Sequence, residues 1–120
     1  MILSVVVTLE HFKNVRNVLV HETAILPCRA TVNTNIVWYY EQCCDDFEHG
    51  LHFCSTPVEI STGRQYQIRR NAAGDHSLMI NGVTMNITGL YTCRNRETQA
   101  VIDSVLLNVM CKYNFMLFLM

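Results

Sequence analysis

The chain has almost no net charge: nine Lys and Arg against ten Asp and Glu leave −1 at neutral pH. With no basic stripe and no acidic tail, nucleic acid is excluded as a partner, and recognition has to rest on local surface. Long apolar runs are missing too. The run at 115–120, Phe-Met-Leu-Phe-Leu-Met, is far short of the roughly 20 residues a helix needs to cross a bilayer. The end of the chain, 110–120, therefore reads as an apolar tail, a truncated stalk or a piece of a membrane segment, and membrane attachment is not legible. The first nine residues are apolar but lack a basic start and a small-residue cleavage site. Residues 1–14 read equally as a clipped signal or as a first strand. No window carries a sustained i, i+3, i+4, i+7 stripe, and there are no repeats, low-complexity tracts or linkers. No nucleophile with a base and an orienting acid, no converging carboxylate pair and no glycine-rich phosphate loop emerges, so neither an enzyme nor a cofactor is expected. Asp45 and Asp46 are adjacent, and on an extended chain they diverge.

What the chain does have is apolar residues and cysteine. At 120 residues and 13.8 kDa, half of them apolar, it has material for one domain with one core. Six cysteines in so short a chain point to an oxidising compartment, hence secretion or surface display. The apolar residues alternate with period two, which predicts an all-β chain with strands near 23–30, 35–42, 51–55, 65–70, 76–81, 90–96 and 101–109. Alternation puts Ala24, Leu26 and Cys28 on one face of the first of these. It turns Ile36, Trp38 and Tyr40 inward and Val37, Tyr39 and Glu41 outward. Tyr66, Ile68, Leu78, Ile80, Val105, Leu107 and Val109 complete the inner set. Pro27 has no N–H to give a sheet neighbour, which favours an edge strand or a bulge there.

The most specific pattern joins Cys28, Trp38 ten positions later, and the run Gly89-Leu90-Tyr91-Thr92-Cys93. Leu26-Pro27-Cys28, Trp38-Tyr39-Tyr40-Glu41-Gln42, Gly63-Arg64 and Gly74-Asp75-His76-Ser77-Leu78-Met79-Ile80 stand around it in order. Over about 15–109 the chain resembles the V-set of the immunoglobulin superfamily. The resemblance implies a two-sheet Greek-key sandwich of variable type, with a disulfide from Cys28 to Cys93 through the core. It further implies Trp38 packed on that bond, Leu78 in the core, and Tyr91 tying down a corner. Asn81-Gly82 by itself suggests a tight hairpin; the implied sandwich instead requires a corner that carries the chain to the opposite sheet. Two departures stand out. Ile87 occupies the position where the family usually has an Asp paired with the retained Arg64, a loss worth about 0–1 kcal/mol. The 101–109 segment also lacks the glycine-bulge motif of antigen-receptor joining segments, which argues for a non-rearranging surface receptor.

Four cysteines lie outside the implied core pair: Cys43, Cys44, Cys54 and Cys111. Three pairings are open. The favoured one links one of Cys43 and Cys44 to Cys54 across a hairpin, while the other reaches Cys111 or forms an intermolecular bond. Cys43, Cys44, His49, His52 and Cys54 also make a conceivable zinc set, but a disulfide is the better reading of an extracellular hairpin, so no metal is expected. Asn86-Ile87-Thr88 is a glycosylation sequon at a corner between strands. Tyr39, Glu41, Thr92, Arg94 and Arg96 share the outward face of one sheet. Tyr and Arg are types that anchor interfaces, and the loops 31–35 and 95–99 rim this face. The expected function is extracellular protein recognition at the cell surface, immune or adhesive, with another protein such as an immunoglobulin-like domain as partner in a homo- or heterodimer. The alternative is a secreted, disulfide-linked structural or dimerising domain. His11, His21 and His76 look isolated.

Overall fold

The computed structural model describes residues 14–46, 51–71 and 73–111, and for 43–46 and 51–54 the backbone pairing alone. Residues 1–13 and 112–120 lie outside the described residues, and with them most of the 1–14 and 110–120 segments. The described residues form ten strands: β1 (Val15–Leu19), β2 (Ala24–Leu26), β3 (Ile36–Glu41), β4 (Cys43–Asp46), β5 (Leu51–Cys54), β6 (Val58–Glu59), β7 (Tyr66–Ile68), β8 (Leu78–Ile80), β9 (Gly89–Asn95) and β10 (Val101–Met110). They form a five-stranded sheet in the order β1-β10-β9-β3-β6, a three-stranded sheet in the order β2-β8-β7, and the hairpin β4-β5 directly after β3. All pairs are antiparallel except β1 with β10, which run parallel.

Period-two alternation explains how the two larger sheets meet. Ala24, Leu26 and Cys28 from one sheet, and Ile36, Trp38, Tyr91, Cys93, Val105, Leu107 and Val109 from the other, are buried together with Leu78, Ile80 and Val83. Cys28 and Cys93 are bonded across this layer, with their Cα atoms 6.5 Å apart. Trp38 stands directly opposite Cys93 in the register of β3 and β9. Its indole Nε1 donates to the His76 carbonyl at 3.0 Å, so the one polar atom of the ring is satisfied in the core. Pro27 acts where its missing N–H matters: β2 stops at Leu26 and lies at the edge of its sheet.

The Asn81-Gly82 signal does not make a hairpin. Gly82 has φ +62, and the chain then passes through a 3-10 turn at Met85–Ile87 into the opposite sheet. Two tyrosines pin this corner. Tyr91 Oη donates to the Ile87 carbonyl at 2.7 Å, and Tyr40 Oη donates to the Thr88 carbonyl at 3.0 Å. Their ring centroids lie 4.9 Å apart. Burial, with Tyr66 and Tyr40 close by, pushes the Tyr91 phenol far above its ordinary value, so it stays a donor throughout the accessible pH range. At Gly89, where β9 leaves the corner, a Cβ would run into the Glu41 carbonyl and come within 2.7 Å of Tyr40 Cε1. Only glycine lets β9 pair with β3 at that point. Removing the corner bond with Tyr91→Phe keeps the packing and leaves one carbonyl short of a donor. It is expected to lower unfolding free energy by about 1 kcal/mol, read as a shifted urea midpoint at unchanged m-value.

His76 is not isolated. It is 3% exposed, its backbone N–H donates to the Cys28 carbonyl at 2.9 Å, and its Nε2 lies 3.2 Å from the Thr31 carbonyl. Beside it, hydrogen bonds from the Ser77 hydroxyl and backbone hold the Asp75 carboxyl below its ordinary value. The backbones of Asp75 and Arg29 pair in an isolated antiparallel bridge beyond the end of β2.

Candidate recognition face

The sheet that carries β10, β9, β3 and β6 turns one face to the core and the other outward, and the register states which residues share the outer one. Glu59, Tyr39, Thr92 and Ser104 form one cross-strand row. Val37, Arg94 and Val101 form the next, and Glu41, Leu90 and Leu106 lie on the other side. Tyr39 and Arg94 are thus diagonal neighbours, within reach of long side chains. The Arg94 guanidinium carbon sits 4.7 Å from the centroid of the Tyr39 ring, a cation–π contact. Arg96 donates to Glu59 Oε1 at 2.7 Å across the sheet. Tyr39 Oη donates to Gln99 Oε1 at 3.4 Å.

The turn between β9 and β10 is fixed from within. Asn95 Oδ1 accepts from the backbone N–H of Glu97 and Thr98. Gln99, at φ +62, donates through Nε2 to the Arg96 carbonyl at 3.1 Å. A one-residue register shift between Val101 and Asp103 follows. Strand β10 therefore has a bulge although no glycine marks it, and the bulge leaves Val101 and Ile102 exposed beside Arg94.

Two residues expected to point into solvent do not. Val37 is 1% and Thr92 4% exposed, although both belong to the outer face by register. The cause is the pair above them: a small side chain set between Tyr39 and Arg94, drawn together by their stacking, is shut off from water. Thr92 is accordingly corrected from a contact residue to a support beneath the pair. Its Oγ1, and Nε of Arg94, are buried without a hydrogen-bond partner among the described residues. Glu41 is half-buried at the opposite edge of the same face, and Arg96 is exposed. Sequence reading did not single out Glu59, and reached Gln99 only as the end of the 95–99 rim loop, without its bond to Tyr39. Their partners lie 37 and 60 residues away in sequence, and no local pattern marks either of them.

Comparison with known proteins adds the family. The model of the immunoglobulin V-set domain matches residues 13–110. The chain belongs to the immunoglobulin V-set. Solved structures agree in fold at low identity. The ZIG-8 IG1 homodimer is 18% identical, with a TM-score of 0.57, covering 83% of this chain and 81% of that one. The ZIG-8–RIG-5 IG1–IG1 heterodimer is 16% identical, with a TM-score of 0.54 and coverage of 81% and 82%. The extracellular domain of the voltage-gated sodium channel beta4 subunit is 13% identical, with a TM-score of 0.51 and coverage of 82% and 91%. No curated protein sequence matches the chain.

Within this V-set domain the remaining predicted residues are dispersed. Asn86 is exposed in the 3-10 turn before β9, at the end of the sandwich away from the 95–100 turn. Ile87, in place of the family's Asp, packs against the core cluster, so the departure replaces an ion pair with apolar contact. Cys111 follows β10 as a half-buried free thiol. Cys43 and Cys54 lie opposite each other in the β4-β5 register. The side chains of Cys43, Cys44, His52 and Cys54, and the whole of His49, lie outside the described residues. Among the described residues no group of His, Cys, Asp and Glu gathers to hold a metal, and no helix is long and apolar enough to cross a membrane.

Proposed function

We propose that this V-set domain is an extracellular recognition module at the cell surface, of adhesion type, binding another immunoglobulin-like domain through the outer face of β10, β9, β3 and β6. The observation that carries the reading is the Tyr39–Arg94 stack, half-exposed and braced on both sides by Gln99 and by the Arg96–Glu59 pair, with Val101 and Ile102 exposed beside it. An aromatic and an arginine already held in one geometry lose little side-chain freedom on binding, and exposed apolar residues next to them supply area to bury. The solved relatives support the class of partner. Two are a homodimer and a heterodimer of IG1 domains, and parallel homodimers of the third, the beta4 extracellular domain, are held to explain its role in cell-cell adhesion. The nearest partners to test are a second copy of the chain, by sedimentation over a range of concentrations, and a panel of V-set ectodomains, by surface binding. The reading fails if association with every partner found is indifferent to changes at Tyr39 and Arg94.

Asn86 is proposed as a glycan carrier. Asn86→Gln is expected to remove the endoglycosidase-sensitive mass of the protein secreted from a eukaryotic host. Because the corner lies a full strand length of β9 from the 95–100 turn, partner affinity should stay within about twofold, below the ~1.4 kcal/mol of a tenfold change. A large loss of affinity in this variant would move the contact surface to the other end of the sandwich.

A further inference from the structure

We infer that Cys43 and Cys54 form a second disulfide, which ties the β4-β5 hairpin shut at its junction with the recognition face. The backbone alone makes the case. Cys43 pairs with Cys54, Cys44 with Phe53, Asp45 with His52 and Asp46 with Leu51. One step outward, the Ser55 N–H donates to the Gln42 carbonyl at 2.9 Å, and the Gln42 N–H is taken up by Ser55 Oγ at 3.0 Å. Residues 42 and 55 therefore occupy a hydrogen-bonded position of the ladder, and 43 and 54 the next, non-hydrogen-bonded one. Facing residues at such a position are the closer kind, with Cα atoms about 4.5 Å apart, inside the range a disulfide spans.

The same register separates the two adjacent cysteines. Cys44 is one residue along and so belongs to the other face of the hairpin, where its opposite number is Phe53. The ambiguity between Cys43 and Cys44 is thus resolved for Cys43, and Cys54 is taken before it can pair with Cys111. Formation is balanced by the chemistry that makes the Cys28–Cys93 bond. The two thiols give up two protons and two electrons through thiol–disulfide exchange with a donor disulfide of the secretory pathway, which leaves as two thiols. The hairpin begins two residues after Glu41, so the bond fixes the edge of the sheet next to Tyr39 and Glu59. Its formation does not depend on which partner the face binds.

The test uses the full chain secreted into an oxidising compartment and purified without reductant. The double variant Cys44→Ser/Cys111→Ser retains only Cys28, Cys93, Cys43 and Cys54. It is expected to show no titratable thiol after unfolding and to gain the mass of four hydrogens on reduction. A gain of two hydrogens with two free thiols overturns the inference, and so does zinc retained by free thiols. The companion Cys43→Ser/Cys111→Ser leaves Cys44, which stands opposite Phe53 in the register and not opposite Cys54. It is expected to gain two hydrogens only; a gain of four would show that the register does not select the pair. Both variants keep the Cys28–Cys93 bond, so a folded, monodisperse product is available for each measurement.

Discussion

Replacing Cys28 and Cys93 together by alanine is expected to lower unfolding free energy by about 4 kcal/mol, since the bond closes a loop with a sequence separation of 65 residues. The size follows from chain entropy: the reduced, unfolded chain regains the freedom that a cross-link of that span removes. A domain of this size holds together by only about 5–15 kcal/mol, so much of its margin rests on one covalent bond. The expected result is a large fall in the denaturant midpoint with the secreted yield down, and Trp38 fluorescence moving to the red in the same transition, because the indole stands opposite Cys93 in the register. A loss under about 1 kcal/mol would mean that the core of Trp38, Leu26, Leu78 and Tyr91 is sufficient without the cross-link.

Tyr39→Ala and Arg94→Glu are each expected to weaken binding to the partner by about 2 kcal/mol or more, some 30-fold, as truncation of a central aromatic or arginine anchor does. The two substitutions act differently. Tyr39→Ala removes the ring on which the guanidinium rests and uncovers Thr92. Arg94→Glu reverses a charge in a row that otherwise holds Val37 and Val101. The effect should fall on binding rather than on folding, because neither side chain belongs to the inter-sheet core. Unfolding free energies within about 1 kcal/mol of the parent would establish that. Arg70→Glu makes the same charge change at an exposed position just after β7, in the other sheet, and is expected to leave affinity unaltered. If Arg70→Glu weakens binding as much as Arg94→Glu, the contact is one of net charge and not of this face.

Much of the architecture was legible because its causes are local or nearly so. The alternation at Ala24-Ile25-Leu26 and at Leu78-Met79-Ile80 shows which side chains go inside. Pro27 forecasts an edge strand, which β2 is, although the strand expected over 23–30 ends already at Leu26; the Cys28, Trp38 and Tyr91-Thr92-Cys93 pattern, through the resemblance it carries, forecasts the pin, the indole and the corner. Alternation misled at Val37 and Thr92. Parity tells which face a residue is on, whereas exposure also depends on what the neighbouring strands put over it. His76 was misjudged for the same reason, since it is buried by the Thr31 carbonyl and by Trp38, from segments far along the chain.

By itself the sequence determined an all-β chain, because period-two patterning dictates which side chains must share a face, and its resemblance to the V-set implied the sandwich with Cys28 and Cys93 as its pin. Tertiary structure alone decided that Arg94 folds onto Tyr39, that Glu59 and Gln99 brace them, that Thr92 lies beneath, and that Cys43 rather than Cys44 stands opposite Cys54. Each of these depends on the register between strands brought together from distant parts of the chain. A shift of one residue exchanges every partner across a ladder while leaving the local pattern of each strand as it was.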